Sequence, residues 1–253
     1  VLPFWFVSLG RVARLVHTRR AGAVAVVVVA LIGNVAALRH HPHHLAYFNE
    51  LTGGPAHGGE YLIDSNLDWG QDLKNLAAWL RAERPGESVG LAYFGGVDPS
   101  ILEASGEGFP FRLAPAASAD LLQLRSVKPE SRAWRFLVRW EEENRSALHD
   151  WIRTNPGRSP LTMPALRESL GDSLGMPASP QPGLFAVSAN FVYGLPFRIH
   201  DEDGNVWSAG AAAFGYFRRL TPIAKIGYSI FVYDVSPGQA KQARREMGFQ
   251  PDL

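Results

Sequence analysis

The sequence predicts an α/β protein: an N-terminal transmembrane helix, with the tail of a preceding one, followed by a compact domain built on one mixed central sheet. Three observations point there. Ala21–Leu38 runs for 18 residues without a charge, between arginine-bearing flanks. Beyond it, strand-like and helix-like segments interleave through short polar links, as in domains that bury one sheet under helices. Between them lies YLIDSNLDWGQDLKNLAAWL, residues 61–80, which reads as strand, polar turn and amphipathic helix.

The elements follow in order. Val1–Gly10 is apolar and aromatic but too short to span a bilayer, and reads as the end of a truncated membrane helix. The chain opens on valine in mid-run, as expected of the C-terminal piece of a longer protein. Arg11–Arg20 carries four arginines and no acid, and Ala21–Leu38 follows. At ~1.5 Å per residue that run is roughly 27 Å long, close to the hydrocarbon thickness of a bilayer. Basic flanks stay in the cytoplasm, which puts residues 1–39 in and under the membrane and residues 40–253 outside it. Arg39–Glu50 emerges at the interface, with Leu45, Tyr47 and Phe48 at headgroup level or under the domain. His40, His41, His43 and His44 are tempting metal ligands, but Pro42 interrupts them and no carboxylate completes a site. A solvated juxtamembrane segment is the plainer reading.

Tyr61–Ile63 is a short apolar run suited to a strand, broken by Asp64-Ser65-Asn66. Asp68 stands where an N-cap belongs, with Gln71 three residues on, the spacing of a capping box. Leu73, Leu76, Ala77 and Leu80 then mark one apolar helix face, closed by Pro85-Gly86. Ser88–Phe94 is a second strand, and Asp98-Pro99 opens a short helix. Residues 110–182 read as a less regular insertion: helix over Ser118–Leu124, strand over Trp134–Trp140, helix over Glu141–Arg153, and a short helix at Pro164–Leu170. Leu184–Val192 alternates as a third strand, Asp201–Asn205 turns, Ala209–Leu220 reads as a helix, and Ala224–Val235 as the strongest strand. A short basic helix ends the chain.

Composition narrows the function classes. Lysine plus arginine number 25 against 24 acidic residues, so the whole chain carries no nucleic-acid signature. Five arginines precede the first acidic residue, Glu50; the rest holds 20 basic against 24 acidic residues. Without cysteine there is neither a disulfide framework nor a thiolate metal site. No GxSxG or HExxH occurs, which argues against a hydrolase.

Asp64, Asn66, Asp68, Trp69 and Asp72 gather oxygen and indole groups at the strand-to-helix junction, and they are the candidate substrate-binding residues. Asp64–Asp68 matches the first five positions of a calcium loop, but Gly70 falls one place late and Asn75 stands where a bidentate Glu belongs. A helix N-terminus suits phosphate, but three carboxylates oppose a dianion there. Sugar or acceptor contact by Asp64, Asp68 and Trp69 is a third reading. In the purely structural fourth, Asp68 caps the helix, Trp69 packs against the domain or the membrane core, and Asp64 ties down the turn. No metal and no cofactor is expected within this chain.

HPHHLAYFNELTGGPAHGGEYLIDSNLDWGQDLKNLAAWL, GLAYFGGVDP, GLFAVSANFVYG and PIAKIGYSIFVYDV together resemble the C-terminal portion of bacterial family 39-type glycosyltransferases. These are multi-spanning enzymes related to protein mannosyltransferases, which take sugar from a polyprenyl-phosphate carrier. DSNLDWGQDL is the most specific part, and residues 110–182 do not share the likeness. The resemblance implies a catalytic carboxylate in an early extracytoplasmic loop upstream of Val1, hence no catalytic residue here. It also implies a polyprenyl-phosphate sugar donor and an envelope acceptor as partners, beside the lipid bilayer. The expected location is the inner membrane with a periplasmic C-terminal domain that covers the active-site cavity. A membrane-anchored carbohydrate or cell-envelope binding module is the alternative from another class.

Overall fold

The computed structural model describes residues 20–49, 53–174 and 180–249; within them the side chains of 36–37 and 172–174 are not described. The expected tail of a preceding membrane helix, at 1–10, and the basic loop up to residue 19 lie outside the described residues. The helices are α1 (Arg20–Arg39), α2 (Leu73–Glu83), α3 (Arg132–Thr154), α4 (Pro164–Leu174), α5 (Ala189–Val192) and α6 (Pro237–Glu246). The strands are β1 (Val89–Ala92), β2 (Phe111–Leu113), β3 (Leu122–Ser126), β4 (Gly183–Ser188), β5 (Phe197–His200), β6 (Val206–Ala209), β7 (Ala224–Ile226) and β8 (Ile230–Val235).

A five-stranded sheet of order β2-β1-β4-β8-β7 forms the centre. β2, β1 and β4 run parallel, while β8 and β7 join antiparallel, so the sheet is mixed as the sequence predicts. A smaller antiparallel sheet, β3-β6-β5, packs beside it. Both faces of the central strands are covered, and successive residues alternate between two cores. Leu184 and Ala186 of β4, with Ile230 and Val232 of β8, meet Leu73, Leu76, Ala77 and Leu80 of α2. Phe185, Val187, Phe231 and Tyr233 point the other way, toward Phe217, Ile199 and Trp207. Gly90 of β1 pairs with Phe185, and a Cβ there would lie 2.4 Å from that ring.

Several segments differ from expectation, each for a local reason. Tyr61–Ile63 is an irregular lead-in with Tyr61 and Leu62 exposed, not a strand, because it finds no sheet edge. Ser118–Leu124 divides into a 3₁₀ turn and the start of β3. Trp134–Trp140 is helical: Ser131 accepts from the Trp134 N–H at 3.1 Å, and Ala133, Phe136, Leu137 and Trp140 fall at helical spacing on the core side. The strand at Leu184 stops at Ser188, whose hydroxyl accepts from the Asn190 N–H and starts α5. Ala209 ends β6, and only Gly215–Arg219 of the expected helix turns, as 3₁₀. Ala224–Val235 folds back on itself as the β7–β8 hairpin, with Gly227 and Tyr228 both left-handed (φ +56° and +66°). The basic helix at the end, α6, carries a complete capping box from Ser236 and Gln239. The turn at Asp201–Asn205 is as read: buried Asp201 accepts from the Asn205 N–H at 2.8 Å and from Trp207 Nε1 at 2.8 Å.

α1 stands apart. Val24, Val27, Val28, Val29, Leu31, Ile32, Val35 and Leu38 are all exposed. Its polar Asn34 folds back to donate to the Ala30 carbonyl at 2.8 Å. Counted over the described residues, no helix is long and apolar enough to cross a membrane; the side chains of Ala36 and Ala37, inside the run, are not among those described.

Candidate functional site

The segment from Asp64 to Asp72 is bound to the sheet by polar side chains from far along the chain. Asp64 takes a left-handed backbone (φ +68°), a conformation Asp tolerates at a cost of about 1 kcal/mol. Its N–H donates to Asn190 Oδ1 at 2.8 Å, while Asn190 Nδ2 donates to the carbonyls of Asp64 and Asp68 at 3.4 and 3.3 Å. Asn190 thus clamps both ends of the turn from the first residues of α5. The Leu67 and Asp68 N–H groups close the turn onto the Asp64 carbonyl.

Asp68 and Asp72 both point inward, 0% and 1% exposed. Asp68 accepts from the Gly70 N–H at 2.6 Å and from the Ser188 hydroxyl at the end of β4. Burial pushes its carboxyl up to about 7 against the opposing pull of those two donors, and the Asp72 charge adds to the rise. Asp72 accepts from Ser229 Oγ at 2.7 Å, in the β7–β8 turn, and from Asn75 Nδ2 at 2.6 Å. His43 Nδ1 lies 3.7 Å from it, with the ring edge-on to Tyr228. That contact takes His43 out of the solvated segment expected for it, while His41 and His44 stay exposed. The Tyr93 hydroxyl donates to the Gly70 carbonyl at 2.7 Å; burial, with Asp68 and Asp72 nearby, pushes it up to about 12. Gly70 (φ +82°) has to be glycine, because a Cβ would sit 2.2 Å from that hydroxyl.

The expected capping box does not form. Asp72, not Asp68, occupies the N-cap position of α2, and its carboxylate faces the hairpin rather than the helix N–H groups. Gln71 instead accepts from the Trp69 N–H at 2.7 Å.

Trp69 does not pack against the domain; it is 65% exposed. Its Nε1 donates to the Ser65 carbonyl at 3.0 Å, which fixes the indole in place. Asp64, Ser65 and Asn66 are exposed beside it, and among the described residues the Asp64 carboxylate makes no hydrogen bond. A groove of about 520 Å³ adjoins, walled by Tyr47, Phe48, Tyr61 and Leu62 and reaching Ser65 and Asn66. The five candidates therefore divide into two sets. Asp68 and Asp72 build the lock; Asp64, Asn66 and Trp69 are held out on it. Such a surface offers carboxylate and amide acceptors beside an aromatic face, the equipment for binding a polyhydroxylated ligand.

Among the described residues no three His, Asp or Glu side chains converge as a metal site. A calcium loop would need Asp64 and Asp68 to converge on one ion; here Asp68 is turned inward onto Ser188, while Asp64 is exposed. Ser188, Asn190, Ser229 and Tyr93 were not candidates from the sequence. The available signal was polar Ser188 and Asn190 inside the otherwise apolar LFAVSANFV. Compared with family models, curated proteins and solved structures, the chain finds no match in any of the three.

Proposed function

We propose that this chain is the C-terminal part of a membrane glycosyltransferase that moves a sugar from a polyprenyl-phosphate carrier to an envelope acceptor. The α/β domain covers the active-site cavity from the extracytoplasmic side and holds the acceptor; the catalytic carboxylate belongs to the upstream membrane core. One observation carries the reading: DSNLDWGQDL, the stretch most like that family, is locked by two buried aspartates so that Trp69, Asp64 and Asn66 stand outward beside a groove. Trp69→Ala in the full-length enzyme is expected to lower turnover at least tenfold, roughly 1.4 kcal/mol of lost contact. Expression and the thermal midpoint should stay put, since an exposed indole adds little to stability. Parallel loss of folded protein and activity would return Trp69 to a structural role. A protein that binds glycans through this surface yet transfers nothing would be the anchored binding module.

α1 is proposed to cross the inner membrane with the domain outside. An apolar surface on every described side of a helix suits lipid and not water. The chain has no cysteine, so single replacements report cleanly. Ala82→Cys is expected to react with an impermeant maleimide added to intact spheroplasts, and His17→Cys only after lysis. The opposite pattern reverses the topology and removes the transferase assignment.

A further inference from the structure

A second cleft, of about 610 Å³, lies beside the groove just described and shares only Tyr61 with it. Phe231 and Tyr233 of β8 line it, with Lys225 of β7, Tyr193 just after α5, and Arg218 of the 3₁₀ turn Gly215–Arg219. Two cations are mounted on its aromatic wall. The Arg218 guanidinium lies 5.4 Å from the Tyr193 ring centroid, and the Lys225 ammonium 4.9 Å from that of Phe231. The two rings themselves meet edge to face at 6.4 Å, so the cations sit on adjacent supports. Gly59 lets Tyr193 close in, since a Cβ there would fall 2.2 Å from the ring.

Neither cation is ion-paired among the described residues. Arg219, the next residue, pairs with Glu246 at 3.2 Å, but among the described residues Arg218 makes no ion pair. Lys225 donates to the Ala56 carbonyl at 2.9 Å and likewise meets no carboxylate. Glu60 is the one carboxylate in the lining; it meets His57 at 3.0 Å, and no ion pair joins it to Arg218 or Lys225. The chain after Arg39 carries more acidic than basic residues, so a cleft lined by two cations and one carboxylate is more positive than its general background. A volume within the roughly 300–1,000 Å³ of small-molecule sites, polar walls and a guanidinium braced on a ring suit recognition of a carboxylate or phosphate.

We infer that this cleft binds the phosphate or carboxylate of a small anionic ligand, with Arg218 as the forked donor and Lys225 as the second charge. The inference stands on the cleft and does not depend on the transferase reading. The test is calorimetric titration of the full 253-residue chain in phosphatidylcholine nanodiscs with glucose 1-phosphate, galacturonate and glucose. Glucose 1-phosphate and galacturonate are expected to bind at least tenfold more tightly than glucose, with affinity falling as salt rises. Arg218→Gln and Lys225→Gln should each weaken binding by about fivefold or more with unchanged thermal midpoints, and Arg218→Lys should recover part of the loss. If soluble affinity drops when phosphatidylglycerol replaces part of the lipid, the cleft is taking a headgroup; if it is unchanged, the ligand is soluble. No anion binding, equal binding of glucose, or wild-type affinity in both glutamine variants would overturn the inference.

Discussion

Replacing Gly227 with alanine is expected to destabilise the domain by about 3–5 kcal/mol, the range of severe core substitutions. The left-handed backbone alone costs alanine about 1 kcal/mol. The larger part is steric: the new Cβ would lie 2.0 Å from Asp72 Oδ2 and 2.1 Å from its Cγ. That carboxylate cannot swing aside without abandoning Ser229 and Asn75, which would leave a buried charge short of donors. Gly157→Ala is the matched control, because Gly157 is also left-handed (φ +78°) but has nothing within 4 Å of the added atom. Urea titration of both variants checks the claim. Equal losses would mean that the hairpin does not press on Asp72 as described.

The second large effect is in pH. A carboxyl whose folded value is raised from 3.8 to about 7 binds more protons folded than unfolded across that interval. Its stabilising contribution is therefore complete below pH 3.8 and is lost as pH climbs through 7. The full excursion corresponds to roughly 4 kcal/mol as an upper bound. Asp68→Asn imitates the protonated acid: its oxygen can accept from the Gly70 N–H and its amide can donate to Ser188. The variant is expected to match the wild type near pH 4 and to exceed it in stability by about 2–4 kcal/mol at pH 8. Melting curves across that range decide it, and a difference that does not vary with pH would refute the burial of an ionisable Asp68.

What could be read from the residues depended on how local the cause was. The α2 face of Leu73, Leu76, Ala77 and Leu80 was plain because a helix carries its period in its own sequence. The central strands were recognisable as apolar runs, but their ends were not: strands buried on both faces lose the alternation that marks limits. LFAVSANFV hid a helix start, and AKIGYSIFVYDV hid a turn, because the deciding feature was a single Ser188 cap in one and two left-handed residues in the other. Trp134–Trp140 satisfied both periods over seven residues; the cap at Ser131 settled it. The candidate site was found as a group for the same reason, its members being close in sequence. Which of them turn inward was not legible, since Ser188, Asn190 and Ser229 decide that from more than a hundred residues away.

That separation has a bearing on biosynthesis. Ser188 is 120 positions and Ser229 157 positions beyond the aspartates they hold, so a nascent chain translated through α2 has the local donors Gly70 and Asn75 but neither serine. The outward Trp69 surface sets only after the final hairpin has left the ribosome, late in a process whose long-range pairings are its slowest. A product released before Ser229 would lack β8 and the Ile230 and Val232 contacts under α2, and would leave Asp72 with Asn75 but without Ser229.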